Sequence, residues 1–272
     1  MSLDNLYPHA GNHSIQNAIL AIEWGMQLTL PQLSALRDAA SLALPSYQFE
    51  EQKSIILNIG PDPNAIPQQT PEVSGYLYSR YSSIGQIAKQ VQITRFNCLF
   101  IVSDYTRWAD LVNEVSTLLN QLSSALSGQG ILVAAVGLQY SDRFVWRGQI
   151  GNLKLSEVFL TDSPYISPNG LSCADAWHSH HGYLADSGTP VQHKRLDNVN
   201  VNVMDEPQGG RAIQILTSHR ASLGTPLRGG DIAATIVALE DEMHKVNKDI
   251  FKKLLTEELR SKINLSEDIQ SH

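Results

Sequence analysis

The chain lacks the features that mark secreted, disulfide-built or membrane-spanning proteins. It has two cysteines, Cys98 and Cys173, which form no CxxC pair and cannot supply a disulfide framework. Its longest apolar run, GILVAAVGL at 130–138, is far shorter than the ~20 residues that cross a bilayer. The N-terminus has no basic segment followed by an apolar core, as a signal peptide would. These absences predict a soluble, cytoplasmic protein with no membrane partner.

Positive charge is also scarce. Lysine and arginine together number 20 against 27 aspartates and glutamates, so the formal net charge is −7. Proteins that hold nucleic acid through its phosphates usually carry a basic surplus or a dense basic stripe. Nucleic acid is therefore not an expected partner. Hydrophobic residues make up 42% of the chain, which is enough for an extensive globular core.

Apolar periodicity divides the first half into strands and two helices. Alternation predicts strands over 15–28, 47–60, 75–83, 90–105 and 131–146, and the proline-rich stretch 61–75 predicts a loop. Residues 29–45 predict a helix that starts at Pro31 and stops before Pro45, with an apolar stripe of Leu33, Leu36, Ala40 and Leu44. A second helix is expected after Thr106, which can cap it, with apolar residues at helical spacing from Trp108 to Leu126. One buried core is expected to contain Trp24, Trp108, Leu111, Val115, Leu119, Ile131, Val133, Val136 and Leu138.

The second half predicts more strands and one long helix. Strands are expected over 176–186, 194–206 and 210–222, separated by glycine- and proline-containing turns. A helix from Asp231 carries an apolar stripe at 4-3-4-3-4 spacing, made of Ile232, Ile236, Leu239, Met243, Val246 and Ile250. Such a stripe packs against the protein's own sheet or forms a seam for self-association through the 232–250 helix. The first interpretation is favoured, because the stripe covers fewer than three heptads.

Together these elements predict an α+β fold. We expect two largely antiparallel sheets with helices packed on one face. The N-terminal half reads β-α-β-β-β-α-β, and the C-terminal part is a sheet of three or more strands with the long helix. The predicted division is an N-terminal α+β half over 1–150 and a C-terminal sheet plus helix over 151–272. One continuous domain is the alternative.

Four short stretches carry a family resemblance. IQNAILAIEWG at 15–25, VGLQYSDRF at 136–144, LDNVNVNVMDE at 196–206 and a helix at 239–263 occur in that order. They resemble a sporadically distributed family of uncharacterised bacterial proteins with an eAvfeirf-like first strand, a Gl(r)Y-n/d-R strand and an l..lH......F helix. The residues that match the last two motifs are Tyr140, Arg143, His244 and Phe251. The resemblance implies no catalytic residues. The family's patchy distribution implies accessory genes, including toxin–antitoxin and phage-defence cargo.

Histidines cluster in the stretch DAWHSHHGYL at 175–184. If this stretch is a strand, His178 and His180 lie on one face, while Trp177, Ser179 and His181 lie on the other. Trp177 is the largest apolar group of the strand and is expected to be buried. A catalytic metal site would need a third ligand besides His178 and His180, and one coordination position of the metal left open. The candidate ligands for zinc or manganese are His178, His180, His181, His193 and His219. The stretch lacks the tight HExxH or CxxC spacing that would make a metal site the favoured interpretation.

A row of asparagines alternates with valines over 198–203. The valines are expected to face the core, which turns Asn198, Asn200 and Asn202 outward. Asparagine is depleted in strands, so three in register suggest either a recognition surface or an ordinary solvated face. The best candidate for partner binding combines this row with His178 and His180 on an adjacent strand.

The sequence favours a non-enzymatic bacterial interaction protein without a cofactor. It would bind a macromolecular partner, such as a protein encoded nearby, as a toxin neutraliser, an immunity-like protein or a defence-system accessory. This hypothesis rests on the absence of a catalytic constellation, the acidic charge and the polar sheet face. The alternative is a metal-dependent hydrolase or nuclease-like enzyme built around His178, His180 and His181.

Overall fold

A computed structural model describes residues 3–58, 68–229 and 231–265. Within these residues it contains ten β-strands and six α-helices. The strands are β1 (Leu6–Pro8), β2 (Ile15–Trp24), β3 (Gln48–Asn58), β4 (Gln68–Tyr81), β5 (Ile87–Thr94), β6 (Asn97–Val102), β7 (Val133–Trp146), β8 (Trp177–Ser187), β9 (His193–Asp205) and β10 (Arg211–Leu227). The helices are α1 (Leu30–Ala43), α2 (Trp108–Gly128), α3 (Leu155–Val158), α4 (Pro168–Ser172), α5 (Ile232–Leu254) and α6 (Glu257–Lys262).

All ten described strands belong to one sheet. Their order is β3-β4-β5-β6-β2-β7-β10-β9-β8, with β1 paired to β7. The predicted α+β fold with two sheets is therefore wrong: the protein is built on one large antiparallel sheet, with 42% strand and 32% helix. The error has a simple cause. Apolar alternation identifies strands but not their neighbours, and β7 lies between β2 of the first half and β10 of the second.

The two larger helices of the first half follow their predicted stripes. At the start of α1, Thr29 forms a capping box with Gln32, whose Oε1 accepts from the Thr29 backbone N–H at 3.0 Å. In α2 most of the apolar positions predicted at helical spacing are buried, including Leu111, Val115 and Leu119, whereas Trp108 and Val112 are half-buried. Thr106 does not cap α2. Its hydroxyl donates to Asp110 instead, and Arg107 is the N-cap residue.

Eight of the nine residues predicted for a buried core are buried; Trp108 is the exception. Trp108 is the first residue of α2 and is only half-buried. The strand predicted over 15–28 stops at Trp24, and Met26 beyond it is 66% exposed. Apolar character alone thus overestimated burial at the end of a strand and the start of a helix.

The stretch 90–105 was predicted as one strand but forms the hairpin β5–β6. Ile93 pairs with Cys98, so the chain reverses around Arg95 and Phe96. No glycine marks this turn. Instead Thr94 Oγ1 accepts hydrogen bonds from the backbone N–H groups of Phe96 and Asn97, each at 3.1 Å. Threonine hydroxyls support turns in this way without any strong sequence signal.

The predicted loop 61–75 is partly strand. Residues 59–67 lie outside the described residues, but β4 begins at Gln68 and includes Pro71. β5 pairs with β4 only over residues 75–81, so at Pro71 one side of β4 carries no described ladder with β5. Proline is tolerated at such edge-like positions, because its missing N–H leaves no ladder hydrogen bond unmade.

The chain divides into two compact units, each interrupted in sequence. Unit 1 comprises Met1–Ile19, Gly137–Gly224 and Ala238–His272, and unit 2 comprises Leu20–Val136 and Thr225–Val237. In unit 2, α1 packs against α2, β4 and β5. The predicted division into domains near residue 150 stays a prediction. None of the helices in the described part of the chain has the length and apolarity that a membrane crossing requires.

The core of unit 1 joins β9 and β10 to α5 and the short helices. It contains Val199, Val201 and Val203 from β9, together with Ile250 and Phe251 from α5. The 4-3-4-3-4 stripe of α5 is therefore used within the chain: all its members are buried except Val246, which is half-buried against this core. This packing leaves the opposite face of β8, β9 and β10 to the candidate site.

Candidate functional site

The histidines and asparagines singled out in the sequence lie side by side on one sheet face. β8 pairs antiparallel with β9, and the register sets His178 opposite Asn202 and His180 opposite Asn200. Residues directly opposite in an antiparallel pair project to the same face. The prediction that these five side chains share a face is therefore confirmed, with Asn198 opposite Gly182. We call His178, His180, Asn198, Asn200 and Asn202 the polar face.

Burial of the valines orients the polar face. Val199 and Val201 are fully buried and Val203 is 1% exposed, so the asparagines between them must project away from the core. His178 and His180 are exposed, and the asparagines are half-buried. Trp177 was predicted to be buried beside the valines. It is opposite Val203 but half-buried, where it packs against Phe159.

Two further strands extend the polar face. Asn198 donates to the hydroxyl of Ser218 on β10 at 3.4 Å, and Gln214 on β10 donates to Ser141 on β7 at 3.3 Å. Near the start of β8 the surface dips into a shallow hollow of about 280 Å³, lined by Ala176, Trp177, His178, Asn202, Val203 and Met204. The polar face therefore offers amide and imidazole hydrogen-bonding groups beside an indentation with a partly apolar wall.

Gly182 keeps the edge of this face open. A Cβ atom at Gly182 would lie 2.7 Å from Asn198 Oδ1, too close for a real contact. The absence of a side chain at this position lets the Asn198 amide lie across β8.

The five histidines considered as metal ligands do not come together. His178 and His180 lie on the polar face, whereas His181 is opposite Val199 on the inner face. His219 is opposite Asp197 and His193 is opposite Leu223, which places both on the inner face as well. Among the described residues, no group of three or more His, Cys, Asp or Glu side chains has the arrangement of a metal site.

His181 belongs to a short hydrogen-bond chain on the inner face. Ser179 Oγ donates to the carbonyl of Tyr165 at 3.1 Å and lies 3.1 Å from His181 Nε2. Since the serine hydroxyl has one proton, Nε2 of His181 is the donor in the second bond. The ring of Tyr165 meets the His181 ring edge to face. These contacts give His181 a role in holding the 159–172 segment against β8.

A buried ionic network lies between the inner face and α5. His219 Nδ1 is 2.7 Å from Asp197 Oδ1, and both side chains are fully buried. Arg195 donates from Nε to both oxygens of Asp197, at 2.9 and 3.1 Å, and from Nη1 to Glu242 on α5 at 2.7 Å. Asn247 Oδ1 lies 3.3 Å from His219 Nε2. The network fastens β9 and β10 to α5.

The electrostatics of this network favour an ionised Asp197. Burial acts to raise the pKa of Asp197, but the hydrogen bonds from His219 and Arg195 outweigh burial, and the pKa lies below its usual value. His193 extends the network: its Nδ1 donates to the Val191 carbonyl at 2.9 Å, and its Nε2 lies 3.5 Å from Glu242. The enclosed Asp197–His219 pair has the composition of a catalytic dyad, but its complete burial gives it a structural role.

The residues that match the family resemblance meet one another in the fold. Tyr140 on β7 and His244 on α5 are joined by a hydrogen bond of 2.9 Å between the phenol oxygen and Nδ1. Arg143 donates to Glu206, at the end of the LDNVNVNVMDE stretch, at 2.7 Å. Phe251 is buried in the core of unit 1. These short motifs therefore describe contacts that assemble unit 1.

Two buried carboxyl groups were missed by the sequence analysis. Asp142 on β7 is 2% exposed, and its Oδ1 accepts from Ser14 Oγ at 2.7 Å. Burial raises the pKa of Asp142 to about 7, against the smaller opposing effect of the Ser14 hydrogen bond. Glu240 on α5 is fully buried and has no hydrogen-bond partner among the described residues, and burial raises its pKa well above the ordinary value.

The sequence did contain signals for these groups. Asp142 lies between Tyr140 and Phe144 in a strand whose alternate positions are apolar, so the same parity places it inward. Asp197 continues the parity of Val199, and Glu240 follows Ile236 by four positions on one helix face. Polar residues at sequence positions that face the core thus mark buried polar groups, but the pattern does not show which of these groups contact one another.

Comparison with models of known protein families finds no match, and no curated protein matches the chain.

Proposed function

We propose that the chain is a non-enzymatic, cytoplasmic interaction protein that binds a protein partner through the polar face. The observation that carries this proposal is the register of β8 on β9, which sets His178 opposite Asn202 and His180 opposite Asn200. Exposed amides and imidazoles both donate and accept hydrogen bonds, so such a face recognises a polar protein surface by hydrogen-bond pattern and not by net charge.

The size of the face fits a specific interface. β9 has 13 residues and β8 has 11. At ~3.3 Å per residue and ~4.8 Å between strands, the outer surface of β8, β9 and β10 covers roughly 600 Å². A standard interface buries about 800 Å² on each partner. The polar face with the neighbouring hollow therefore approaches the area that stable recognition requires.

Rigidity supports the same proposal. The strands behind the polar face pack on a core of valines and isoleucines and are held to α5 by the Asp197–His219–Arg195 network. A surface fixed in this way loses little side-chain and backbone freedom on binding. The sequence resembles a family whose patchy distribution implies mobile accessory genes, so we propose that the partner is a protein encoded nearby. The proposed roles are toxin neutraliser, immunity-like protein or defence-system accessory.

The test places a photo-crosslinking amino acid at His180 in the native host. A matched control places it at Asp249, an exposed residue of α5. We expect a discrete adduct with one protein from position 180 and none from position 249. Adducts of equal yield at the two positions, or from position 249 only, would contradict the proposal.

The second measurement uses the protein captured at position 180. Replacing His178 and His180 together by alanine should raise the dissociation constant at least tenfold. Raising sodium chloride from about 50 to about 500 mM should change the affinity only a few-fold, because the polar face contains no lysine, arginine, aspartate or glutamate, and salt mainly screens charge. A steep salt dependence would assign binding to a charged surface elsewhere.

A further inference from the structure

The edge strand β8 is available for pairing. It is the last strand in the order of the sheet, and among the described strands it pairs only with β9. The ladder with β9 runs through all its 11 residues. In the described part of the chain, no backbone group of β8 makes a hydrogen bond outside this ladder. The other side of β8 therefore presents a row of unpaired N–H and C=O groups.

The two edges of the sheet differ in their protection. β3, at the opposite end of the strand order, carries Glu50, Glu51 and Lys53, and its ladder with β4 shifts register between Gln52 and Lys53, where Ser74 of β4 has no partner in the ladder. Charges and bulges of this kind block pairing with another strand. β8 has the sequence WHSHHGYLADS, without lysine, arginine or proline, and its register with β9 shows no bulge. The sheet thus protects one edge and leaves the other open.

Two antiparallel copies of β8 place compatible side chains opposite each other. Gly182 is its central residue, so an antiparallel pairing about Gly182 gives all eleven positions a partner. In that register His178 is opposite Asp186 of the second copy, and His180 is opposite Leu184 of the second copy. Side chains alternate between the two faces along a strand, so these four residues, which all have even numbers, project from the same face of the shared sheet. An imidazole then meets a carboxylate at each end of the ladder.

Exposed apolar side chains on β8 add to this complementarity. Leu184 is 63% exposed and Tyr183 is 38% exposed. In the pairing about Gly182, Leu184 packs beside His180 of the second copy, and Tyr183 packs beside His181. Aromatic and apolar cross-strand pairs of this kind stabilise a sheet in addition to its backbone hydrogen bonds.

We propose that β8 pairs antiparallel with β8 of a second copy of this chain, about a two-fold axis at Gly182. The two chains then share one continuous sheet and form a closed, isologous dimer. This interface is separate from the α5 stripe considered in the sequence analysis. His178 and His180 belong both to the polar face and to this ladder, whereas the asparagines of the polar face lie on β9. The dimer would therefore set two polar faces side by side.

Cysteine cross-linking tests the register. The double variant His180→Cys with Leu184→Cys, in a Cys173→Ser background, sets two cysteine pairs directly opposite each other. Directly opposite Cβ atoms lie about 4.5–5.5 Å apart, close enough for a disulfide after a small adjustment. The single variants are matched controls, since four residues separate each cysteine from its counterpart, or roughly 13 Å along the strand. We expect most of the double variant and under about a tenth of each single variant to cross-link.

Sedimentation equilibrium tests the dimer itself. Leu184→Lys places a charge on the open edge, and we expect it to raise the dimer dissociation constant at least tenfold. Leu42→Lys, at a position that is 75% exposed on α1, is the matched control and should leave the constant unchanged. A wild-type chain that stays monomeric at about 100 µM, or single cysteine variants that cross-link as well as the double variant, would overturn the proposal.

Different variants test partner binding by the polar face and dimer formation through β8. Replacing Asn200 and Asn202 by alanine should weaken capture of the protein partner but leave the dimer constant within about threefold, because these side chains belong to β9 and lie outside the proposed β8–β8 ladder. Loss of the dimer in this variant would overturn the backbone pairing. Loss of partner binding in Leu184→Lys alone would mean that the partner, and not a second copy, occupies the edge of β8.

Discussion

Replacing Asp142 by asparagine should make the protein more stable at alkaline pH. Asp142 is buried with a pKa of about 7, compared with an ordinary value of 3.8. The native state therefore binds a proton more readily than the unfolded chain. The favourable contribution of this proton is complete below pH ~4 and is lost as pH rises through about 7. Asparagine is close in shape to protonated aspartate and does not ionise.

The size of the change in unfolding free energy follows from the shift in the pKa of Asp142. A difference of about three pKa units corresponds to about 4 kcal/mol of unfolding free energy. By the linkage relation, about a third of this loss is present at pH 5 and nearly all of it at pH 8.5. The advantage of Asp142→Asn over the wild type should therefore grow by roughly 3 kcal/mol between these two pH values. The Ser14 hydrogen bond persists, because the amide oxygen accepts from the same hydroxyl.

Urea unfolding of both proteins at pH 5 and pH 8.5 measures this difference. All other titrating groups are shared, so they cancel in the comparison between the two proteins. Asp186→Asn is the matched control, since the side chain of Asp186 is 76% exposed and a substitution at an exposed site should change stability little. An Asp142→Asn advantage that stays constant between the two pH values would refute the reasoning, because the carboxyl group would then titrate alike in the folded and unfolded chains.

Four further results are expected. Leu119→Ala should lower the unfolding free energy by ~2–5 kcal/mol in urea, as for a deleted core leucine, and a loss under ~0.5 kcal/mol would mean that this face of α2 is not packed. Asp197→Ala should cost ~3–5 kcal/mol by the same method, because it leaves His219 and Arg195 without their carboxylate; an unchanged midpoint would contradict the network. Since the pKa of Asp197 is lowered, its stabilising contribution is present above the ordinary carboxyl pKa and is lost as pH falls below it, so the wild-type advantage should shrink in acid. Replacing His178 and His180 by alanine should change stability by less than ~0.5 kcal/mol, as at exposed sites. Dialysis against a chelator should leave the melting temperature unchanged, whereas stoichiometric, tightly held zinc or manganese would favour the hydrolase alternative.

The polar face could be predicted because its cause is local. A strand alternates its side chains, so buried valines at 199, 201 and 203 fix the direction of the asparagines between them. The stripe of α2 and the stripe of α5 are local in the same sense, since helical spacing alone selects the residues that pack. The hairpin at Arg95 and Phe96 shows the limit, because the Thr94 hydroxyl supports the turn and its sequence contains no glycine or proline.

Only the tertiary structure decided how the strands are arranged and which polar groups meet. Pairing of β7 with strands from both halves makes one sheet, and nothing in the periodicity of either half specifies that neighbour. The Asp197–His219 contact depends on the register of β10 on β9, and the Arg195–Glu242 contact depends on where α5 lies. These contacts join residues that are distant in sequence. Local pattern therefore determined which way each side chain faces, and long-range packing determined what it faces.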